Sequence, residues 1–295
     1  SKSVGSGSFG VVRAAVHRAS GTSCVVKSVK KDAAGERYRQ SVEQEGGIFE
    51  MLLRMSHKEL RHPNLVRYFD MLEGPKHYFV IMEELSGAEL MQQVEDLFPV
   101  TEAYLQRVLR QVLAGLAHIH GPVGTVHRDV KLSNFRYRSP GSESELVLLD
   151  FGFASSLSRP WDGAVCGTMM FMAPEVVGHT VQTATLAAID LWAAGVMLYV
   201  LLTGDAPAQE DEVRILGKKD ALEEAQEVLD KAFAAQELAL ASPEALSLLR
   251  ALLTLDPGTR ATASQALDHA WFSSEGDTRQ VSVPNSKYRL ARSNS

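Results

Sequence analysis

The chain has 295 residues, of which 45% are hydrophobic and 22% charged, and its formal net charge is −6. This length and composition can bury a substantial core, and the acidic balance argues against nucleic acid as a partner, because proteins that bind phosphate backbones generally carry a basic surface. The longest apolar run, residues 191–202, is about half of the roughly 20 residues that a membrane span requires, so no span is expected.

The first predicted element is a glycine-rich hairpin at residues 5–10, G-S-G-S-F-G. Glycines let backbone approach phosphate oxygens, but G-x-G-x-x-G also opens dinucleotide-binding folds, where a helix and a later acidic residue follow. Here residues 11–16 and 23–27 read as two strands, and Lys27 stands where that acidic residue would be expected. The P-loop pattern G-x-x-x-x-G-K-[ST] is absent from the sequence, which excludes the usual NTPase interpretation. The pattern predicts a hairpin that closes over a nucleotide.

A division of the chain is predicted near residues 82–85. Residues 78–82 read as a buried strand leading into it, with strands around one helix before it and mostly helical sequence after it. Residues 104–120 carry apolar side chains at helical spacing and predict a core helix of the second part. This order of elements indicates an α+β fold with a small strand-rich part and a larger helical part.

Residues 127–134, H-R-D-V-K-L-S-N, and the D-F-G string that begins at Asp150 are the most informative part of the sequence. Asp129 supplies a carboxylate that can accept the proton of an attacking hydroxyl, and Lys131 can neutralise charge on a phosphoryl group in transfer. Asn134 and Asp150 supply oxygen ligands of the kind that Mg²⁺ prefers. Together these residues indicate phosphoryl transfer.

In this order the motifs resemble the eukaryotic protein kinase family over nearly the whole chain. The resemblance implies a bilobal protein kinase fold at residues 1–272, with an N-lobe of antiparallel sheet and one helix at about 1–83 and a mainly helical C-lobe at about 86–272. It implies transfer of the γ-phosphoryl group of ATP, with Mg²⁺, to hydroxyl groups of protein substrates. Residues 273–295 are expected to form a flexible tail.

The resemblance also assigns catalytic roles. The catalytic set is Lys27, Glu45, Asp129, Lys131, Asn134, Asp150 and Thr168. Asn134 and Asp150 would hold the metal. Glu45 is the candidate helix partner of Lys27, with Glu43 and Glu50 as rivals. Lys131 and Thr168 favour serine or threonine as the acceptor.

His127 has two interpretations. Its imidazole could act as a general base, or it could be a packed structural side chain. The second is preferred, because Asp129 occupies the position of the catalytic base in this motif.

The residues that the resemblance places around the nucleotide are Val4, Gly5, Gly7, Phe9, Gly10, Val12, Val25, Lys27, Met82, Glu83, Leu85, Glu89, Arg136, Leu149 and Asp150. Met82 takes the gatekeeper position, and backbone groups of Glu83 and Leu85 hold the adenine edge. Glu89 aligns with a position that touches ribose and basic substrate side chains. Arg136 departs from the family pattern, because an aliphatic residue usually forms the floor beneath adenine, although its stem can pack there.

The segment after the D-F-G string has Ala164 where many family members carry an activating phosphothreonine. We hypothesise that activity does not require phosphate there, because Asp162 offers Arg128 a carboxylate in its place. Val165, Met169 and Met172 are expected to line an apolar pocket for the residue after the acceptor.

Three further landmarks have architectural roles in the family. By resemblance Asp190 anchors the backbone of the catalytic loop from a buried helix, and Glu175 forms an ion pair with Arg260. Residues 205–242 are rich in Ala, Glu, Leu and Lys, which favour helices.

Residues 254–272 look most like the calmodulin-dependent and calcium-dependent protein kinases. The sequence has no D-x-[DN]-x-[DN]-G loop, so no EF-hand of its own is expected. Gly46-Gly47 in the helix that would carry Glu45 predicts a mobile helix, which a regulatory partner or a ligand would stabilise.

Cys24 and Cys166 form neither a metal-binding spacing nor a disulfide framework, which indicates a reducing, intracellular compartment. The alternative to an active enzyme is a pseudokinase scaffold or nucleotide-binding interaction module.

Overall fold

The computed structural model describes residues 3–7, 10–31, 48–273 and 280–281. The first part of the chain forms a five-stranded antiparallel sheet. The strands are β1 (Ser3–Gly7), β2 (Gly10–Val16), β3 (Ser23–Lys30), β4 (Tyr68–Glu73) and β5 (His77–Glu83), in the order β1-β2-β3-β5-β4. The register places Lys27 of β3 opposite Val80 of β5. The two strands expected at 11–16 and 23–27 and the strand expected at 78–82 are therefore confirmed.

The close packing of β2 against β3 requires glycine at position 10 of the predicted hairpin. A Cβ atom on Gly10 would lie 2.0 Å from the carbonyl oxygen of Ser28, so no larger residue fits there without moving the backbone. Helix α1 (Ile48–Ser56) packs against β4 and contributes the buried side chains Leu52 and Met55 to the core.

The second part of the chain is mainly helical. Its helices are α2 (Leu90–Asp96), α3 (Glu102–His118), α4 (Pro174–Val177), α5 (Ala188–Thr203), α6 (Glu210–Leu216), α7 (Leu222–Phe233), α8 (Pro243–Leu252) and α9 (Ala263–Leu267). Two short strand pairs accompany them, β6 (Thr125–Val126) with β9 (Ser155–Ser156) and β7 (Phe135–Tyr137) with β8 (Leu146–Leu148). The core helix predicted at 104–120 is α3, which continues into a π-helical turn at Ile119–Val123.

Helix α5 forms the centre of the helical part. Its residues from Ile189 to Thr203 are all buried, which is why its sequence is apolar on every side rather than on one stripe. Among the residues described, none of the helices is both long enough and apolar enough to cross a membrane.

A buried carboxylate joins three segments of the helical part. Glu102, at the start of α3, is fully buried. It accepts hydrogen bonds from the backbone N–H of Ser242 at 2.9 Å and from Nε1 of Trp271 at 2.6 Å, and also from the hydroxyl of Ser242. These donors compensate the carboxylate for the water that it loses on burial.

The C-terminal segment is anchored at two residues. The backbone N–H of Val281 donates to the carbonyl oxygen of Val100 at 3.2 Å, its side chain is buried, and Gln280 forms a bridge with Thr101. The tail expected at 273–295 thus contacts the helical part at these two residues, where the side chain of Val281 is buried. Residues 274–279 and 282–295 lie outside the described residues.

A pair of stacked histidines lies where the loop before β4 meets α3. The rings of His62 and His118 are 4.9 Å apart. Nδ1 of His62 accepts the backbone N–H of Asn64 at 3.2 Å, and Nε2 of His118 donates to the carbonyl oxygen of Leu60 at 2.9 Å. Burial, and then the neighbouring His118, lower the pKa of His62 from 6.5 to about 4.

We expect this pair to make stability depend on pH. Because the pKa of His62 is lowered to about 4 in the folded chain, its contribution is fully present above the ordinary value near 6.5 and is lost as the pH falls towards 4. His62→Asn keeps an acceptor for the N–H two residues ahead but does not titrate. Urea denaturation should therefore show a smaller loss of stability between pH 7 and pH 5 for His62→Asn than for the native chain. Equal losses would contradict the prediction.

Candidate active site

The loop of residues 127–134, the predicted catalytic loop, is held in place by a carboxylate from α5. Oδ2 of Asp190 accepts the backbone N–H of His127 at 2.8 Å, and Oδ1 accepts that of Arg128 at 2.9 Å. The ring of His120 donates to the same carboxylate at 2.8 Å. Burial alone would raise the pKa of Asp190, but the hydrogen bond and charge of His120, with the contribution of His127, hold it below its ordinary value. The anchoring contact expected of Asp190 is present.

Three of the predicted catalytic side chains surround Asp129. The amide of Asn134 donates to the Asp129 carbonyl oxygen at 2.6 Å and to its carboxylate at 3.0 Å. Nζ of Lys131 lies 3.2 Å from that carboxylate and 2.9 Å from the hydroxyl of Thr168. The backbone N–H of Thr168 donates to the other carboxylate oxygen at 3.2 Å. The structure thus brings together four residues that are up to 39 positions apart.

Thr168 can contact Asp129 because the backbone at Gly167 lies close to the backbone of Arg128. Gly167 has a φ of 100°, in the region that favours glycine. A Cβ atom on Gly167 would lie 2.6 Å from the carbonyl oxygen of Arg128. This glycine therefore lets the segment after the D-F-G string approach the catalytic loop.

Lys27 and Asp150 meet across 123 positions of sequence, with Nζ 2.6 Å from Oδ1. Burial alone would raise the pKa of Asp150, but the charge and hydrogen bond of Lys27 hold it below its ordinary value, with His127 and the backbone N–H of Gly152 contributing further. The carboxylate is therefore ionised at neutral pH. Glu45, the predicted partner of Lys27, lies outside the described residues, as do Gly46-Gly47.

His127 is a packed side chain. It is fully buried, its Nε2 donates to the carbonyl oxygen of Leu149 at 2.9 Å, and its Nδ1 accepts the backbone N–H of Asp129 at 3.3 Å. Its ring also lies 4.8 Å from that of Phe151, which in turn lies 6.1 Å from Tyr68. Both ring nitrogens therefore have partners within the chain, as the structural interpretation of His127 predicts.

The residues predicted to contact the nucleotide lie on neighbouring strands and on the segment that joins the two parts. Val4, Gly5 and Gly7 lie on β1, Gly10 and Val12 on β2, Val25 and Lys27 on β3, and Met82 and Glu83 at the end of β5. Leu149 follows β8, and its backbone N–H donates to the carbonyl oxygen of Asn134 at 2.8 Å. Phe9 lies outside the described residues.

Arg136 lies on the middle of β7, between the buried Phe135 and Tyr137. Because side chains alternate along a strand, it projects from the opposite face. Its Nε donates to the carbonyl oxygen of Gly87 at 2.8 Å, and its Nη1 lies 3.9 Å from the exposed carboxylate of Glu89. The structure thus directs the guanidinium towards Gly87 and Glu89.

Arg128 contacts two side chains of the segment after the D-F-G string, Asp162 and Trp161. Nη1 of Arg128 lies 3.1 Å from Oδ1 of Asp162, and its Nε donates to the carbonyl oxygen of Phe153 at 2.5 Å. The guanidinium lies 5.6 Å from the centre of the Trp161 ring. The contact expected of Asp162 is present. The contribution of Trp161 was missed, although an aromatic residue beside that acidic residue was a usable signal.

The expected ion pair between Glu175 and Arg260 is also present and is buried, with side chains 4% and 0% exposed. It is bidentate, with distances of 2.7 Å and 3.0 Å. Arg260 therefore fixes α4, which directly follows the segment that contacts Asp129.

Comparison with known proteins agrees with this geometry. The family model for the protein kinase domain matches residues 1–272. Human serine/threonine-protein kinase H1 is 32% identical over 272 residues, which cover 91% of this chain and 59% of that protein's length. Rat calcium/calmodulin-dependent protein kinase type 1B is 31% identical over 272 residues, which cover 92% of this chain and 74% of that protein. The autoinhibited serine kinase domain of the giant muscle protein titin shares the fold, with a TM-score of 0.76 at 22% identity, over 100% of this chain and 86% of that one. The chain belongs to the protein kinase family.

Proposed function

We propose that the chain is a serine/threonine protein kinase that transfers the γ-phosphoryl group of ATP to hydroxyl groups of protein substrates. The observation that carries the proposal is the convergence of Asp129, Lys131, Asn134 and Thr168 in one hydrogen-bonded group. A pseudokinase scaffold would have no need to keep this arrangement. We assign the catalytic domain to residues 1–272, divided into lobes at about 1–83 and 86–272.

The chemistry follows from what each side chain offers. The carboxylate of Asp129 accepts a hydrogen bond from the substrate hydroxyl and orients its oxygen for attack on the phosphorus atom. Lys131 neutralises charge that develops on the transferred group, and the hydroxyl of Thr168 positions the Lys131 ammonium at 2.9 Å. Lys27 would bind phosphate oxygens, with Glu45 as its proposed second partner beside Asp150.

Asn134 and Asp150 would hold Mg²⁺. An amide oxygen and an ionised carboxylate fit this hard cation, which keeps several waters and takes its remaining ligands from phosphate. When bound, Mg²⁺ neutralises charge on the β- and γ-phosphates. The lowered pKa of Asp150 keeps its carboxylate available for that role at neutral pH.

The nucleotide base would bind between the sheet and β7. We assign the adenine edge to backbone groups of Glu83 and Leu85, with Met82 behind them. The stem of Arg136 would lie beneath the base and Glu89 near the ribose.

Acceptor preference is proposed from the segment after the D-F-G string. The contact between Lys131 and Thr168 favours serine and threonine. Val165 is exposed, and Met169 and Met172 are half-buried; these apolar side chains are the ones that we assign to the residue after the acceptor. Cys24 and Cys166 are both in the reduced, thiol form, which favours an intracellular location.

The function is tested by a phosphate-transfer assay. The chain is incubated with γ-³²P-labelled ATP and a mixture of serine-, threonine- and tyrosine-containing peptides, with Mg²⁺ or with an excess of chelator. We expect Mg²⁺-dependent label on phosphoserine and phosphothreonine. Binding of ATP without any transfer would support the pseudokinase alternative and end the proposal.

Activity should not require phosphate on the segment after the D-F-G string, because Asp162 already pairs with Arg128 at 3.1 Å. The Asp162 side chain is 53% exposed. Exposed pairs are worth about 0.2–1 kcal/mol, so Asp162→Asn should lower the transfer rate by no more than about fivefold. Asp162→Glu keeps the charge and serves as the control. Phosphate-free protein that stays inactive until Ser155, Ser156 or Ser158 is phosphorylated would contradict the prediction.

A further inference from the structure

A buried ion pair joins the end of β5 to the residue that follows β7. Glu83 is the last residue of β5, and Arg138 directly follows β7. The carboxylate of Glu83 contacts Nη1 of Arg138, and the two side chains are only 11% and 16% exposed. Charges this well buried interact more strongly than surface pairs, because solvent screens them less.

Each partner makes a second contact with the loop before β4. Nη2 of Arg138 donates to the carbonyl oxygen of Pro63 at 2.7 Å. The other carboxylate oxygen of Glu83 accepts the backbone N–H of Arg67 at 2.8 Å. The pair therefore links three segments: the strand end at Glu83, the strand end at Arg138 and the loop at 63–67.

Backbone hydrogen bonds extend this link along the segment between the lobes. The N–H of Glu83 donates to the carbonyl oxygen of Arg67 at 2.9 Å, and the N–H of Ser86 donates to the carbonyl oxygen of Arg138 at 3.1 Å. Residues 83–86 are thus fixed at both ends. Within this stretch lie the backbone groups that we assign to the adenine edge.

One donor of the Arg138 guanidinium lacks a hydrogen-bond partner among the described residues. This donor is Nε, which is buried and lies 3.8 Å from Oε2 of Glu145. A buried donor without a partner is unfavourable. The contacts with Glu83 and Pro63 must therefore outweigh this loss to keep Arg138 in place.

We propose that Glu83 and Arg138 are positioning residues for the nucleotide, which hold the backbone of residues 83–86 where the adenine edge binds. This inference rests on the proposed function. Nucleotide binding depends on backbone donors and acceptors at about 3 Å, so a small displacement of this segment weakens binding. The pair acts through the backbone and touches neither phosphate nor acceptor. Its loss should therefore change KM for ATP more than kcat.

The test compares Arg138→Met with a matched variant, Arg67→Met. The guanidinium of Arg67 is 4.0 Å from the same carboxylate and its side chain is 48% exposed, while its backbone N–H is unaffected by substitution. We expect Arg138→Met to raise KM for ATP and the calorimetric Kd of ATP about fivefold, and Arg67→Met to leave both unchanged. Arg138→Lys keeps the charge and should give an intermediate value.

A second variant tests the same ion pair in case Arg138→Met does not fold. Glu83→Gln removes the charge from the other side, and the double variant Glu83→Gln/Arg138→Met should weaken ATP binding no more than Arg138→Met alone. Thermal melting identifies the variants that are folded. Unchanged Kd in folded Arg138→Met and Glu83→Gln, an equal rise in Arg67→Met, or a lower kcat at constant KM would overturn the inference. Because Kd is measured without transfer, failure of the proposed kinase activity would be distinguishable from failure of this pair.

Discussion

Replacement of Asp129 by asparagine is expected to lower the rate of phosphoryl transfer by about 10²–10⁴-fold, the range typical for loss of a catalytic acid or base. The two side chains have the same shape, so the loss reports on the charge. One Asp129 oxygen faces the donors Asn134 and Lys131, and the other faces the N–H of Thr168. The side-chain amide of an asparagine at position 129 would point its NH₂ group at a donor in either orientation, because both oxygens of Asp129 face donors. The amide also cannot accept the proton of the substrate hydroxyl.

The measurement is the initial rate of label transfer at saturating ATP, together with the calorimetric Kd for ATP. We expect Kd to change little, because Asp129 is assigned to the acceptor hydroxyl and not to the nucleotide. Asp230→Asn makes the same chemical change at an exposed position on α7 and is expected to leave the rate unchanged. A rate for Asp129→Asn above about a tenth of the native rate would exclude Asp129 as the base.

The fold followed from the sequence wherever the signal was local or periodic. Alternating and apolar stretches predicted β2, β3 and β5, and helical spacing predicted α3. The anchor at Val281 could not be predicted in this way. Its burial depends on a contact with Val100, 181 positions earlier, and composition alone favoured a flexible terminus.

The candidate site was predictable to the extent that its residues stand in recognisable strings. Asp129, Lys131 and Asn134 lie within one string, and their spacing within it already implied proximity. The pair of Glu83 with Arg138 carried no such signal, because the two residues are 55 positions apart, one at the end of β5 and the other just after β7. Long side chains add to the difficulty, since the direction of the Arg136 guanidinium depends on its contacts with the Gly87 carbonyl oxygen and the Glu89 carboxylate.

The largest stability effect is expected from Arg260→Leu, which should lower the free energy of unfolding by about 3–5 kcal/mol. The substitution leaves the carboxylate of Glu175, only 4% exposed, without its counter-charge. It also removes the donors to the carbonyl oxygens of Thr254, Ala188 and Leu255. Typical domains are stable by only 5–15 kcal/mol, so this change should be visible as a large fall in the midpoint of urea denaturation.

Two comparisons show whether burial causes the effect. Lys231→Met removes an ion pair with Glu212 whose lysine is 76% exposed, and it should cost less than about 1 kcal/mol. Glu175→Leu/Arg260→Leu removes both buried charges, and because apolar replacement of a whole buried pair is often neutral, it should recover much of the stability. If Arg260→Leu costs no more than Lys231→Met, or if the double variant is less stable than Arg260→Leu, then the uncompensated charge of Glu175 is not the cause.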